Sequence, residues 1–557
     1  MHTAELAEIF EELARLKELA GQNAFAANAY RRAAQTLERG PSEWDTLSVA
    51  EQEQALGKSM AAKAAAWAAA GASTELEELR ATIPQGVLQM LTVPGFGVKK
   101  VGALWHTHGI SEFDELVRQA NEGTLATLSG FGKGTQEAFL LHVATLQTRQ
   151  GKCRLNAGMA LAALAIEALT TAPEVADAVA VGDVARSMDV INRVEVLAAL
   201  EPQTTGGQVL ALLPDFTLDR RQSGPGMYVG TWVDGTAFCL YTCTPATMAQ
   251  EQVMLTGPDT FLGLPAATGG TVQSVILKTL GLGEYELIEK ALGYYLEPEL
   301  RDDPAAAPPE GQQLISLPAI KGILHCHSTY SDGQNTLREM ATHCRDLGYA
   351  YFGIADHSQT ATYAHGLEEE RVQAQWAEID ALNIELAPFK ILKGIESDIL
   401  PDGALDYPAG LLAGFDYVVA SVHSGLKMNA EKATARLLAA IENPFTTILG
   451  HATGRLLLER EGYLLDYNQI FAACARRQVS IEINASPWRL DLDWRLVRKA
   501  RETGVVISIN PDAHKLAGFA DMQYGVAVAR KGGLLPHECL NTKTLAALQL
   551  WLAQRPR

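Results

Sequence analysis

Six histidines and three carboxylates stand where short apolar runs give way to polar sequence. They are His325, His327, His357, His423, His451 and His514, with Asp332, Glu396 and Asp512. The chain has 13 histidines, and none lies between His142 and His325. Alternate residues of an extended strand point to the same side, so His325 and His327 can face one centre, as can Asp512 and His514. Imidazoles and carboxylates that converge suit zinc, manganese or iron. Nine donors exceed the roughly four that one tetrahedral zinc takes, so the count predicts two or three ions. Clustered divalent ions lower the pKa of a bridging water and stabilise charge on phosphate oxygens, which points to phosphoester hydrolysis. Arg455, Arg460 and Arg489 follow the same motifs and could hold a phosphate bidentately. A lone histidine near a strand end is more often an ordinary core or surface residue, as His343, His365 and His537 are taken to be. Nine together are harder to dismiss. No GxSxG elbow or Ser–His–Asp arrangement offers a covalent serine route.

Something must bring these side chains together. The runs are GILHCHS, YFGIADHS, KILKGIESDI, YVVASVHS, TTILGHAT, VSIEINA and VVISINPDAH. Seven runs separated by helical segments predict repeated β–α units. The stretch 318–557 has about 240 residues, near the ~250 of a closed β/α barrel. The nine residues fall at the C-terminal ends of six of the seven strands, the face on which such barrels place their active sites.

The remainder has a different texture. The 557 residues are too many for one hydrophobic core. Residues 1–150 read as short helices, 151–300 as a mixed α+β region, and 301–317 as a Pro/Ala-rich linker. VPGFGVKK (Val93–Lys100) has the form of a helix-hairpin-helix turn, and LSGFGKGT (Leu128–Thr135) repeats it. Gly57 and Lys58 begin a weaker third copy. Glycines permit the tight turn, and amides at the next helix start can bind a DNA phosphate without reading sequence. The candidate DNA contacts are Gly95, Gly97, Lys99, Lys100, Gly130, Gly132 and Lys133; a plain helical turn is the rival reading. A net charge of −19 excludes coating of nucleic acid by bulk charge, though not local backbone contacts. The seven scattered cysteines form no CxxC pair and read as reduced thiols. With no secretion signal and no bilayer-length apolar stretch, the expectation is a cytoplasmic, monomeric protein with no membrane partner.

HCHSTYSDG, GIADHS, GIESDI, SVHSG, GHATGR, EINASPWRLDL and NPDAHK resemble the motifs of the PHP (polymerase and histidinol phosphatase) family. They are most similar to the branch fused to bacterial family X DNA polymerases. The resemblance implies a distorted seven-stranded β/α barrel with a trinuclear metal site, and all nine family ligands map onto the nine residues named above. It also implies a manganese-stimulated 3′–5′ exonuclease. GQNAFAANAYRRAAQTLE, LTGP (Leu255–Pro258) and the thumb-like ALGYYLEPELRDD extend the likeness along the chain.

At the polymerase centre the sequence departs from that family. In GDVARSMDVINRVEVLA (Gly182–Ala198), Arg193 stands for the first metal-binding aspartate, Glu195 for the second, and Asp183 for a serine. Cys239 stands for the third aspartate, and FLGLPAA replaces the nucleotide-binding His-Asn and arginine. A guanidinium repels the Mg²⁺ that belongs there, and one glutamate cannot hold two. Polymerase activity is therefore expected to be lost, unless Asp183 or Asp189 supplies the missing carboxylates. The expected whole is a DNA repair nuclease acting on nicks, gaps or 3′ ends. The rivals are a phosphatase for small phosphate monoesters and a non-catalytic DNA-binding scaffold.

Overall fold

The computed structural model describes residues 3–22, 24–39, 44, 47–256 and 314–556. The thumb-like segment, FLGLPAA and most of the expected linker lie outside the described residues. The chain divides into two compact units, Met1–Gln150 and Gly151–Arg557.

The described part of the first unit is helical. Its α-helices are α1 (Thr3–Leu19), α2 (Ala24–Arg39), α3 (Val49–Leu56), α4 (Lys58–Ala70), α5 (Thr74–Thr82), α6 (Gln85–Met90), α7 (Val98–Gly102), α8 (Phe113–Asn121) and α9 (Lys133–Arg149). Leu6, Phe10, Leu13 and Ala14 recur at helical spacing on α1 and are buried. Phe10 meets the rings of Tyr30 and Trp67, at 6.0 and 4.8 Å. The two glycine turns are built alike. Gly95 and Gly130 take left-handed backbones, φ 82° and 88°, that a side chain would strain. Gly97 and Gly132 are the caps from which α7 and α9 start. Phe96 and Phe131 between them are buried, with their rings edge to face at 5.8 Å. The weaker copy also ends on a cap, with Gly57 opening α4.

The second unit opens with β1 (Cys153–Arg154), α10 (Leu155–Thr170), β2 (Val175–Val181), β3 (Val190–Ile191), β4 (Val194–Leu200), β5 (Phe216–Leu218), β6 (Met227–Trp232) and β7 (Ala237–Cys243). β1 and β3 form an antiparallel ribbon, and the others a sheet in the order β2-β4-β7-β6-β5. Only the β4–β7 pair is parallel. Buried Leu155, Leu161, Ala165 and Leu169 face α10 into the core it shares with this sheet.

The barrel follows from residue 314. Its strands are β8 (Gly322–Ile323), β9 (Tyr351–Gly353), β10 (Lys390–Leu392), β11 (Gly394–Asp398), β12 (Tyr417–Ser421), β13 (Ile448–Leu449), β14 (Ser480–Asn484) and β15 (Ile507–Asn510). All their pairings are parallel. The seven runs of the sequence appear as eight strands because Lys393 interrupts the third. The sheet is correspondingly split into β8-β9-β10 and β11 to β15. Parallel bridges stitch the two parts, His357 to Glu396 on one side and Cys326 to Ala513 on the other. This is the distorted barrel that the resemblance implied. Tyr417 fills space that glycines leave. A Cβ on Gly394 would come within 2.3 Å of its ring, and one on Gly353 within 2.3 Å of its hydroxyl. A separate apolar cluster joins Leu324, Tyr351, Tyr417, Val419 and Ile448 to Leu540 and Leu548 of the C-terminal tail. Asn541 ties that tail to the strands through Gly322 O, Asn510 Oδ1 and the Ile509 amide.

Candidate metal centre

The C-terminal strand ends bring all nine predicted ligands into one mutually contacting cluster. Three overlapping groups have donors close enough to share an ion: His327, Asp332, His357 and His514; His325, His327 and Asp512; His357, Glu396 and His423. Glu396 is the hub. Its carboxylate lies 2.9 Å from His357 Nδ1, 3.0 Å from His451 Nε2, 3.3 Å from His423 Nε2 and 3.4 Å from His325 Nε2. Asp512 lies 3.0 Å from His327 Nε2, and Asp332 3.4 Å from His514 Nε2. His451 and Asp512 have positive φ, 24° and 53°. Non-glycine backbones of this kind cost about 1–3 kcal/mol and cluster at functional sites.

The residues fit metal ions. His325 Nε2 and His327 Nδ1 are buried without a hydrogen-bond partner, although carboxylate oxygens stand 3.4–3.7 Å away. Two donors each about 2.1 Å from one ion sit at roughly such a separation. Burial drives the His327 pKa down to about 3, with His514 and His357 adding to the effect, so this ring is neutral and keeps a lone pair. Burial alone would raise the Glu396 and Asp512 pKa values, yet the imidazoles around them hold both well below the usual carboxylate range. His514 is raised to about 9: burial opposes its charge, and Asp332 and Asp512 outweigh it. Ionised carboxylates thus enclose a space that favours positive charge.

Residues that the sequence reading did not single out orient these ligands. Glu482, fully buried, lies 2.8 Å from His325 Nδ1 and accepts from Asn510 Nδ2 and the His451 amide, both at 3.0 Å. Asp398 lies 2.5 Å from His423 Nδ1. Asp356 accepts from the Ser328 amide and hydroxyl, from Ser331 and from Gln375 Nε2, fixing the loop after His327. Strand alternation was the available signal: Asp398 is two residues past Glu396, and Glu482 is an acid inside an apolar run.

The three arginines part company. Arg455 departs from the expected phosphate contact because its donors are committed to the protein. They reach Asp493 at 2.6 Å, Asp189 at 3.2 Å, and the carbonyls of Arg489 and Leu490. Arg460 donates to Gly454 O through Nε and a terminal nitrogen. Arg489 reaches the cluster, with Nε 3.8 Å from Asp512 Oδ2. In the other unit Lys99 and Lys133 are exposed beside the glycine turns, while Lys100 lies over the Phe96 ring at 5.8 Å.

Family comparisons agree with both ends of this architecture. A helix-hairpin-helix domain matches residues 1–73, and a PHP domain matches residues 324–486. The DNA polymerase/3′–5′ exonuclease PolX of Bacillus subtilis (strain 168) is 30% identical over 571 residues, covering 99% of each chain. The chain belongs to the PolX family. A probable phosphatase of Thermoanaerobacter sp. (strain X514) is 27% identical over 223 residues, covering 36% of this chain and 88% of its own. A histidinol phosphate phosphatase of Lactococcus lactis, crystallised with zinc, L-histidinol and phosphate, aligns over 38% of this chain and 94% of its own, with TM-score 0.31 and 17% identity.

In this PolX chain an ion pair stands at the positions where the sequence likeness expected two family X aspartates. Arg193 lies 2.6 Å from Glu195 Oε1, and the Tyr241 hydroxyl donates to the same oxygen at 3.0 Å. Cys239 is level with Glu195 on the neighbouring strand and is buried. The two carboxylates that could have substituted are engaged. Asp183 accepts from Asn192 and Arg186. Asp189 lies 3.2 Å from Arg455 of the barrel, and it is not among the residues that line the nearby cavity of about 630 Å³, which include Asp183, Arg193, Glu195 and Asp219.

Proposed function

We propose that this PolX relative is a DNA-directed 3′–5′ exonuclease whose single catalytic centre is the barrel cluster. The supporting observation is the convergence of nine ligands with orphaned imidazole nitrogens, on a chain that also carries hairpin turns suited to DNA phosphates. We take the site to hold two or three divalent ions, manganese, zinc or iron; such ions would activate water and neutralise charge on the scissile phosphate. The chain's own residues do the rest. Glu396, Asp332 and Asp512 would hold the ions together with the histidines, Glu482 and Asp398 fix the His325 and His423 rings, and Arg489 would hold a phosphate oxygen. Arg460 stands beside it as a weaker phosphate candidate. Gly95, Gly97, Lys99 and Lys100, with Gly130, Gly132 and Lys133, grip the DNA backbone near a nick, gap or 3′ end. The middle domain keeps a positioning role without nucleotidyl transfer, because an Arg193–Glu195 ion pair cannot hold two Mg²⁺. The domain limits of this reading are 1–150, 151–300, 301–317 and 318–557. The setting is cytoplasmic DNA repair.

The test uses a 5′-labelled primer on gapped DNA with Mn²⁺. We expect shortening from the 3′ end and no extension when deoxynucleotides and Mg²⁺ are supplied. The double variant Asp512→Ala/His514→Ala is expected to lose shortening by a factor of at least about 10³ while still retarding DNA. Robust primer extension would overturn the polymerase half. Turnover of a chromogenic phosphate ester with no shortening of DNA would favour a phosphatase for small esters; relatives that match 36% of the chain are named probable phosphatases.

A further inference from the structure

The loop after β14 carries a half-exposed aromatic residue, Trp488, next in sequence to Arg489, whose Nε reaches Asp512 of the cluster. The start of the loop is held by Asn484, which donates to Asp512 Oδ2 at 2.9 Å and accepts from the Ser486 amide. The Arg489 amide closes a turn on Ser486 O, and its side chain reaches Asp512. Trp488 comes between them. Its carbonyl accepts from the Leu457 amide at 2.7 Å, which pins it to the loop that follows His451. Trp488 is 49% exposed, unusual for a residue with so large an apolar ring.

One part of that ring is covered from the middle domain. The Arg154 guanidinium carbon lies 3.3 Å from the ring centroid, and Arg154 is itself held by Glu459 at 2.9 Å and by Leu457 O. The guanidinium lies over the ring and is itself tethered by both bonds, so one face of the indole is braced before any ligand arrives. The rest of the ring stays open to solvent, next in sequence to the arginine best placed for a phosphate. A flat apolar surface one residue from a phosphate-binding cation matches a nucleotide, whose base and phosphate are joined at that range. Small phosphate esters without a base have nothing to place on it.

We propose that Trp488 is the stacking platform for a nucleobase at the DNA end being hydrolysed, held in place by Arg154. This rests on the exonuclease reading above and makes the site selective for base-bearing ends. Base stacking on an aromatic is sequence-tolerant, so all four bases are accepted.

The experiment compares two single strands, identical except that one ends 3′ in an abasic analogue. The full-length protein with Mn²⁺ is expected to favour the base-bearing end by about tenfold in kcat/KM. Trp488→Ala is expected to bring that ratio near one, and Trp488→Phe to restore most of it. A second readout needs no turnover. A 3′-terminal 2-aminopurine should be quenched on binding in EDTA by the parent protein and by Trp488→Phe, but not by Trp488→Ala. An unchanged ratio in Trp488→Ala, or a ratio lost instead in Tyr363→Ala, would overturn the proposal and leave the exonuclease reading intact. Tyr363 is the rival platform, 67% exposed with its ring 6.2 Å from His357. If the parent protein shortens neither strand, the exonuclease reading fails and the platform with it.

Discussion

Glu482 shows how a residue that touches no substrate can govern a metal site. Its two oxygens hold His325 Nδ1, the His451 amide and Asn510, all in a fully buried setting. That leaves His325 Nε2 as the nitrogen aimed at Glu396 and Asp512. Losing the charge would free the ring to turn and weaken its basicity. Partners of this kind typically contribute 10- to 100-fold in metal affinity. Glu482→Gln is therefore expected to lower affinity for the tightest ion by roughly that factor, read by competition with a metal-sensitive dye. Unchanged affinity would mean that His325 is oriented by packing alone.

Among the helices, Glu75 joins three elements of the first unit. It accepts from Tyr30 of α2 at 2.6 Å, lies 2.9 Å from Lys17 of α1, and pairs with Lys63 of α4. Burial pushes its carboxyl pKa up, but the bonds from Lys63, Tyr30 and Lys17 prevail and hold it at about 2, below its ordinary 4.5. A depressed carboxylate stabilises fully above its unfolded pKa and loses that contribution as pH falls toward the folded one. Glu75→Gln should therefore destabilise the first unit at pH 7, with the gap to the parent closing between about pH 5 and 2. Urea midpoints across that range check this, and a gap independent of pH would refute it. In the second unit, Asp189 and Arg455 do a comparable job between elements. The pair runs from the turn before β3 to the loop after β13, and Arg455 also donates to Arg489 O in the loop after β14, so the middle domain braces both loops.

For the whole molecule, the division into two compact units has a thermodynamic consequence. Ions that bind only the folded barrel stabilise it by mass action, about 2.7 kcal/mol at a hundredfold excess over Kd. Calorimetry should show chelation lowering the melting of the unit that contains the barrel. The transition of the helical unit, which holds none of the nine ligands, should stay in place. If both shift equally, the two units unfold as one. If neither shifts, the cluster does not hold its ions tightly.

The barrel strands and the nine residues that meet at their ends were legible in the amino-acid sequence because they follow local rules. Apolar runs ended by histidine or acid mark strand ends, and a two-residue period tells which side chains share a face. The glycine turns were legible for the same reason, since left-handed backbone at Gly95 and Gly130 is a demand of one residue. The likeness to family X located Arg193 and Glu195, but their pairing with Tyr241 depends on β7 lying beside β4. What local rules could not reach was which distant residues meet. Glu482 reads as an ordinary strand acid until His325, 157 positions earlier, is found against it. Arg455 reads as a phosphate ligand until Asp189 and Asp493 are found on it. Trp488 reads as one apolar residue in a loop until Arg154 is found stacked on its ring. The nine-residue cluster was declared by residue type and spacing, whereas the contacts that brace it and the Arg154–Trp488 contact exist only once the chain has closed on itself.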